Sequence, residues 1–178
     1  MTIPEVGAAD WGEPRERTVS WHDPLAGASR GLRMSGLDYL RAMAAGELPP
    51  PPISGLMQMQ VTEVDPGRVV FTCTPDESTY NPIGAVHGGL VCTLLDSVAG
   101  CALHSTLPQG RGYTSIEIKV SYLAPVRVSS GQLTATGTVV KAGSRVGFTE
   151  GTVTDASGAT VATATSTLLV FDLPPEPV

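Results

Sequence analysis

The segment Asn81-Pro-Ile-Gly-Ala-Val-His87-Gly88-Gly89, continuing as Leu90-Val-Cys-Thr-Leu-Leu-Asp96-Ser-Val-Ala-Gly-Cys-Ala-Leu-His-Ser-Thr106, decides how this chain folds. From Gly88 to Thr106 the run is apolar on nearly every face, and Asp96 is its only formally charged side chain. Such a run predicts a helix buried inside the protein, over about residues 89–106, with Pro108 and Gly110 closing it. An isolated buried carboxylate is costly, so it must be paired, protonated or used. An amide, an imidazole and two glycines lead into the same helix. That juxtaposition marks a candidate active site.

Strand patterns flank the helix. Before it, Met57, Met59 and Val61 alternate with polar residues, Asp65-Pro66-Gly67 is a turn signal, and Val69, Phe71 and Cys73 alternate again. The expectation is a hairpin, then a loop over residues 75–87. After the helix, Ile116, Ile118, Val120 and Tyr122 alternate with Ser115, Glu117, Lys119 and Ser121, a half-buried pattern. Leu133–Lys141, Val146–Asp155 and Ala159–Phe171 complete the strands, with turns at Ala142-Gly143-Ser144 and Asp155-Ala-Ser-Gly158. The predicted order is β-β-helix-β-β-β-β. A helix apolar all round needs cover on most sides, and a curved antiparallel sheet wrapped around it supplies that cover. The predicted class is therefore α+β. One sheet cannot enclose the helix fully, which points to a second subunit.

The predicted organisation is an N-terminal extension over residues 1–50, a domain over 51–173 and a tail over 174–178. Residues 1–32 show no periodicity and read as a segment that is partly disordered or drapes over a partner surface. Ser35 caps a short predicted helix, and Pro49–Pro52 form a stiff connector.

At 178 residues, 42% hydrophobic and 16% charged, the chain suits one soluble domain with a sizeable core. A net charge of −6 with no basic block argues against nucleic acid and against an anionic membrane surface. The apolar run is interrupted by Asp96, His104 and small polar residues, which favours a buried soluble helix over a membrane span. Cys73, Cys92 and Cys101 have no zinc-type spacing and read as buried free thiols. His22, His87 and His104 share no ligand spacing with acids or thiols, so no metal is expected. The acidic stretch Met1–Gly12 lacks the apolar segment of a signal peptide, and a cytoplasmic location is expected.

The candidate site residues carry alternative roles. Gly88 and Gly89 form either a tight turn into the helix or a pair of unblocked amides, at the positive end of the helix dipole, able to stabilise an oxyanion. His87 either holds the loop by hydrogen bonds or acts as a general base. Asn81 caps the loop or donates to a substrate carbonyl. Asp96 is a structural acid or a catalytic one. Gly88 and Asp96 lie eight positions apart, which is roughly 12 Å along a helix. If both act in one reaction, they must come from two copies of the chain. That places the site at a two-fold interface, Asn81 and Gly88 of one subunit facing Asp96 of the other.

The pattern N-P-x-G-x-x-H-G-G-x6-D, followed by the strand S-I-E-I-K-V-S-Y-L-A-P, resembles the hotdog-fold acyl-CoA thioesterases, with the phenylacetate-degradation type as the nearest subgroup. The resemblance covers about residues 54–171 and leaves the first 50 or so outside it. It implies a hotdog fold: a curved antiparallel sheet around one long buried helix. It implies that Asp96 activates water, or attacks the thioester directly. The Gly88 N–H and the Asn81 amide would polarise the thioester carbonyl, with Gly89 beside them, and His87 would order the Asn81 loop. Ser115, or its neighbour Thr114, would help hold the water. Lys141, Gly143, Ser144 and Arg145 occupy the turn where such proteins bind the CoA nucleotide. The implied cofactor list is empty apart from coenzyme A within the substrate, and the implied assembly is a homodimer or a dimer of dimers. A hydratase or dehydratase on the same fold, a non-catalytic acyl-CoA binder and a cysteine enzyme using Cys92 are the competing readings.

Overall fold

The computed structural model describes residues 12–173. The expectations for the first eleven residues and for the tail 174–178 lie outside the described residues. The elements, in chain order, are α1 (Pro24–Gly31), α2 (Gly36–Ala44), α3 (Pro52–Leu56), β1 (Met59–Asp65), β2 (Arg68–Cys73), α4 (Gly88–His104), β3 (Arg111–Tyr122), β4 (Leu133–Ala142), β5 (Val146–Thr154) and β6 (Thr160–Asp172).

The strands form one antiparallel sheet in the order β1-β2-β4-β5-β6-β3. Register shifts at Val61/Glu63, Val139/Lys141 and Ser115/Glu117 interrupt the ladders. Bulges of this kind increase local twist and help the sheet curve around a helix. That helix is α4. Leu94, Leu95, Val98, Ala99, Ala102 and Leu103 are essentially inaccessible to solvent. They meet the inward residues of β2, β4, β5 and β6, including Val69, Leu133, Ala135, Val153 and Leu168.

The sequence permits a close approach. Gly137 of β4 pairs with Gly151 of β5, and Gly151 pairs with Ala164 of β6. This row of small residues runs across three strands beneath α4. A Cβ on Gly137 would lie 2.2 Å from the Val98 carbonyl oxygen, and one on Gly147 would lie 2.5 Å from a Leu103 methyl carbon. The first contact is with buried backbone, which cannot swing aside. Gly137→Ala is therefore expected to destabilise the fold by about 3 kcal/mol, the upper part of the overpacking range, measurable by chemical denaturation.

Three features depart from the sequence expectations. Residues 24–31 form a helix, with Asp23 Oδ1 accepting from the Leu25 N–H at 2.9 Å as its cap. The connector Pro49–Pro52 passes into the helical turn α3, so β1 begins at Met59 instead of Met57. Proline suits the first turn of a helix, where its missing N–H has no partner to lose. Ile116 and Tyr122 are 57% and 55% exposed. Ile116 falls in the register shift between Ser115 and Glu117, which interrupts the expected alternation, and both residues lie on β3, the last strand of the sheet.

Outside the sheet, α2 docks on β1 and on the end of α4 through the Gly36 N–H, which donates to the Leu107 carbonyl at 3.0 Å. His104 closes α4 between Tyr39 and Tyr113, with ring centroids 5.9 and 5.3 Å away. Burial holds its imidazole below the ordinary histidine range. No helix among the described residues is long and apolar enough to cross a membrane.

Candidate active site

The helix α4 is not covered on every side. Cys92, Thr93, Asp96, Ser97 and Cys101 are half-buried and recur at helical spacing along one stripe. Asp96 is thus a partly accessible carboxylate, where the sequence suggested an enclosed one. Its charge needs less compensation for that reason, and it finds a partner in β3. The Ser115 hydroxyl donates to Asp96 Oδ1 at 2.7 Å.

Strand alternation settles which neighbour takes that position. Tyr113 and Ser115 both line the cavity beside Asp96. Thr114 lies between them, so its side chain leaves the opposite face. The register shift between Ser115 and Glu117 falls directly after Ser115. The bulge bends the edge strand where it presents this hydroxyl.

The loop ahead of α4 is built by its own polar groups. Asn81 Oδ1 accepts from the Ile83 N–H at 3.1 Å and the Ala85 N–H at 3.2 Å, an Asx-type turn. The Asn81 N–H donates to the Ala85 carbonyl at 2.8 Å, and Gly84 takes the left-handed backbone that closes the turn (φ 75°). Because the carboxamide oxygen is engaged, the NH2 group remains as a donor. It makes no hydrogen bond among the described residues.

His87 is the N-cap of α4, and its Nδ1 accepts from the Gly89 N–H at 2.9 Å. That bond fixes Nδ1 as the acceptor, so in the neutral imidazole the proton sits on Nε2. The His87 N–H ties the loop back to the Thr79 carbonyl at 2.8 Å. Of the two glycine amides, only one is therefore open. The Gly89 N–H is taken by the cap, whereas the Gly88 N–H has no acceptor among the described residues. Tyr122, which sequence reading left as a strand residue, donates its hydroxyl to the Gly88 carbonyl at 2.9 Å. Its ring lies where a Gly88 Cβ would come within 3.1 Å.

The expected residues thus fall into three groups within one chain. Asn81, His87, Gly88 and Gly89 meet at the start of α4. Asp96 and Ser115 meet two helical turns further on. Lys141, Gly143, Ser144 and Arg145 lie at the β4–β5 turn, beside the far end of α4, since Gly147 packs on Leu103. The Gly143 N–H donates to the Val146 carbonyl at 3.1 Å, and Arg111 holds the Ser144 carbonyl at 2.6 Å. Lys141 and Arg145 are exposed.

Asp96 and Ser115 line a cavity of about 1150 Å³. Its other walls come from β1 and β2 (Met59, Val61, Phe71) and from the segment Met43–Gly55. Gln58, the one non-glycine residue with left-handed backbone among the described residues (φ 54°), also lines it. Cys101 sits in this wall with its thiol pushed up to about 12, chiefly by burial, and burial also raises Cys92. Neither thiol is poised as a thiolate nucleophile. Among the described residues no three His, Cys, Asp or Glu side chains converge as metal ligands.

Residues 83–162 match the family described as the thioesterase superfamily. Among curated proteins, human acyl-coenzyme A thioesterase 13 is 30% identical over 53% of this chain and 66% of its own length. The chain spans 44% to 66% of the length of the curated relatives it matches. Among solved structures, a phenylacetic acid degradation-related protein of Ralstonia eutropha JMP134 is 28% identical, covers 74% of this chain and 98% of its own, and has a TM-score of 0.67. A Streptococcus mutans protein solved bound to acetyl CoA is 26% identical, covers 66% of this chain and 91% of its own, and has a TM-score of 0.59. The sheet and central helix described above have the hotdog architecture of these thioesterases.

Proposed function

We propose, from the match of residues 83–162 to the thioesterase superfamily, that the protein hydrolyses an acyl-CoA thioester to the free acid and coenzyme A. The observation that carries this reading is the Asp96–Ser115 pair, held at 2.7 Å on the stripe of α4 that the chain's own sheet leaves open. A carboxylate bonded to a hydroxyl beside a cavity can orient one water and take its proton.

In the proposed reaction the water oxygen attacks the thioester carbonyl carbon and Asp96 accepts the proton. The carbonyl oxygen becomes an oxyanion. The Gly88 N–H and the Asn81 NH2 are the donors best suited to receive it, since both are without acceptors and the first lies at the positive end of α4. The intermediate then collapses, the carbon–sulfur bond breaks and the proton passes from Asp96 to the departing CoA sulfur. His87 serves by fixing the loop and the helix start.

A single chain cannot assemble this reaction, because Gly88 and Asp96 are roughly 12 Å apart along α4. The proposed unit is a homodimer in which the open stripe of one α4 faces the helix start of the other. Two features support it. The twelve-residue strand β3 is an unpaired edge carrying exposed Ile116 and Tyr122. A long uncovered edge is a pairing surface. The same edge carries Ser115, so pairing there brings a second chain to the site. Outward side chains Val140, Phe148 and Leu169 on the other face of the sheet favour further pairing of dimers. The turn with Lys141 and Arg145 is the proposed contact for the CoA nucleotide, and the acetyl CoA seen in the Streptococcus mutans relative agrees with that substrate class.

A thiol-release assay over a panel of acyl-CoAs tests the reading directly. Release of CoA from at least one of them is expected. Addition of water to an enoyl thioester without thiol release would assign the site to a hydratase instead, and binding without either reaction would assign it to a carrier. Within the hydrolase reading, Ser115→Ala is expected to lower kcat about tenfold or more, the scale of one hydrogen bond to a charged group, with the chain still folded.

A further inference from the structure

The cavity beside Asp96 is lined in part by residues that lie outside the matched family segment 83–162. Its wall there is the stretch from the end of α2 through Pro49–Pro51 to α3, with Ala45 and Ile53 facing the space. A second layer backs this wall. Arg17 donates to the Leu56 carbonyl at 2.8 Å and stands 3.6 Å from Asp76, while Arg15 bonds Glu77. Val19 and Ser20 lie so close to α3 that a Cβ on Gly55 would come within 3.4 Å of the Ser20 carbonyl. His22, at the end of this strap, lines the cavity itself.

From this arrangement we infer that the strap and α3 form the wall of an acyl chamber, selecting thioesters with apolar acyl groups of about eight carbons or more over acetyl and butyryl thioesters. The inference rests on the thioesterase reading for its substrate and deepens it. The chamber counts Asp96 and Ser115, beside which the thioester carbonyl would sit, among its lining residues, so an acyl chain entering it starts at the reacting centre. Met43, Met59, Val61 and Phe71 give it a mainly apolar lining, with Gln58, Gln60 and Ser54 among them. At about 1150 Å³ it exceeds the ~300–1,000 Å³ usual for small-molecule sites, and an acetyl group would leave it unfilled. Each methylene that enters such walls should strengthen binding about fourfold.

The test pairs turnover with an independent binding signal. Trp21 stands beside His22, is 64% exposed and is one of the chain's two tryptophans. In a Trp11→Phe background its emission reports on the strap. Titration with butanoic, decanoic and hexadecanoic acids reads binding, and thiol release from the matching acyl-CoAs reads turnover. The expected result is a rise in affinity and in kcat/KM of at least about tenfold from four to ten carbons. Ala45→Phe, at an exposed position on the wall, is expected to remove most of that rise. Arg17→Ala, which frees the strap, is expected to flatten the chain-length dependence. Acids that bind with this dependence while no acyl-CoA is cleaved would uphold the chamber and overturn the hydrolase reading. Thiol release that is indifferent to chain length, that favours aryl over aliphatic groups, or that both variants alter equally for every substrate would overturn the chamber.

Discussion

Asp96→Asn is expected to lower kcat for acyl-CoA hydrolysis by at least about 10²-fold while leaving a folded protein of unchanged oligomeric state. The substitution keeps the volume of the side chain and its ability to bond the Ser115 hydroxyl, now held at 2.7 Å. It removes the one property the proposed mechanism needs, a carboxylate that can accept a proton from water. Because Asp96 is half-buried and has no ion-pair partner among the described residues, neutralising it leaves no buried charge unpaired. Stability should hold or rise slightly, so loss of activity with an unchanged denaturation midpoint isolates the chemistry. Turnover within a few-fold of the unmodified protein would remove Asp96 from the mechanism.

Gly88→Pro is expected to cost about 10²–10³ in kcat, the loss seen when one oxyanion donor is taken away. The geometry makes this an unusually clean deletion of a backbone N–H. Gly88 is the first residue of α4, a position where proline is well tolerated. The preceding residue, His87, has φ −61° and ψ 132°, the extended conformation that a following proline requires. The helix loses no internal hydrogen bond, because the Gly88 N–H has no acceptor among the described residues. The added ring atoms do approach Tyr122, whose ring lies 3.1 Å from the site of a Cβ. Gly88→Ala separates the two effects, since it adds the same Cβ and keeps the N–H. It should retain activity within about tenfold. Equal losses in the alanine and proline variants would assign the effect to crowding against Tyr122 and not to the amide.

Much of the fold was legible because its determinants are local. The Asn81 loop, the His87-Gly88-Gly89 turn and Asp96 lie within one loop and one helix, so their spacing already fixes their relative placement. Alternation over β3 to β6 is carried by consecutive residues for the same reason. What escaped were consequences of long-range placement. Ile116 and Tyr122 fit a half-buried alternation in the sequence, yet Ile116 falls in a register shift and both lie on the strand that ends the sheet, and neither the bulge nor the strand order is written in a local window. The bond from Tyr122 to Gly88 joins residues 34 apart. The helix α1 and the turn α3 are short and rich in Pro, Gly or Ala, with little periodic signal. One miss had a signal. Cys92, Thr93, Asp96, Ser97 and Cys101 mark a stripe of smaller and more polar residues on a helix read as apolar all round, and that stripe is the face the sheet leaves uncovered. The chamber wall was beyond reach, since nothing in residues 13–23 announces that Arg17 and His22 meet α3 and the cavity.

The central claim is that the acid of one subunit works on a thioester held at the helix start of another. Mixing the two inactive proteins tests it most directly. Asp96→Asn and Gly88→Pro subunits are unfolded together and refolded at equal concentration, and thiol release is compared with the unmodified protein. Two chains exchanging at random give half hybrids, and each hybrid has one site with both groups intact, so about a quarter of full activity should return. Refolding each variant alone should return none. A mixture as inactive as its parents, although subunit exchange is confirmed by mass, would contradict a site shared between subunits.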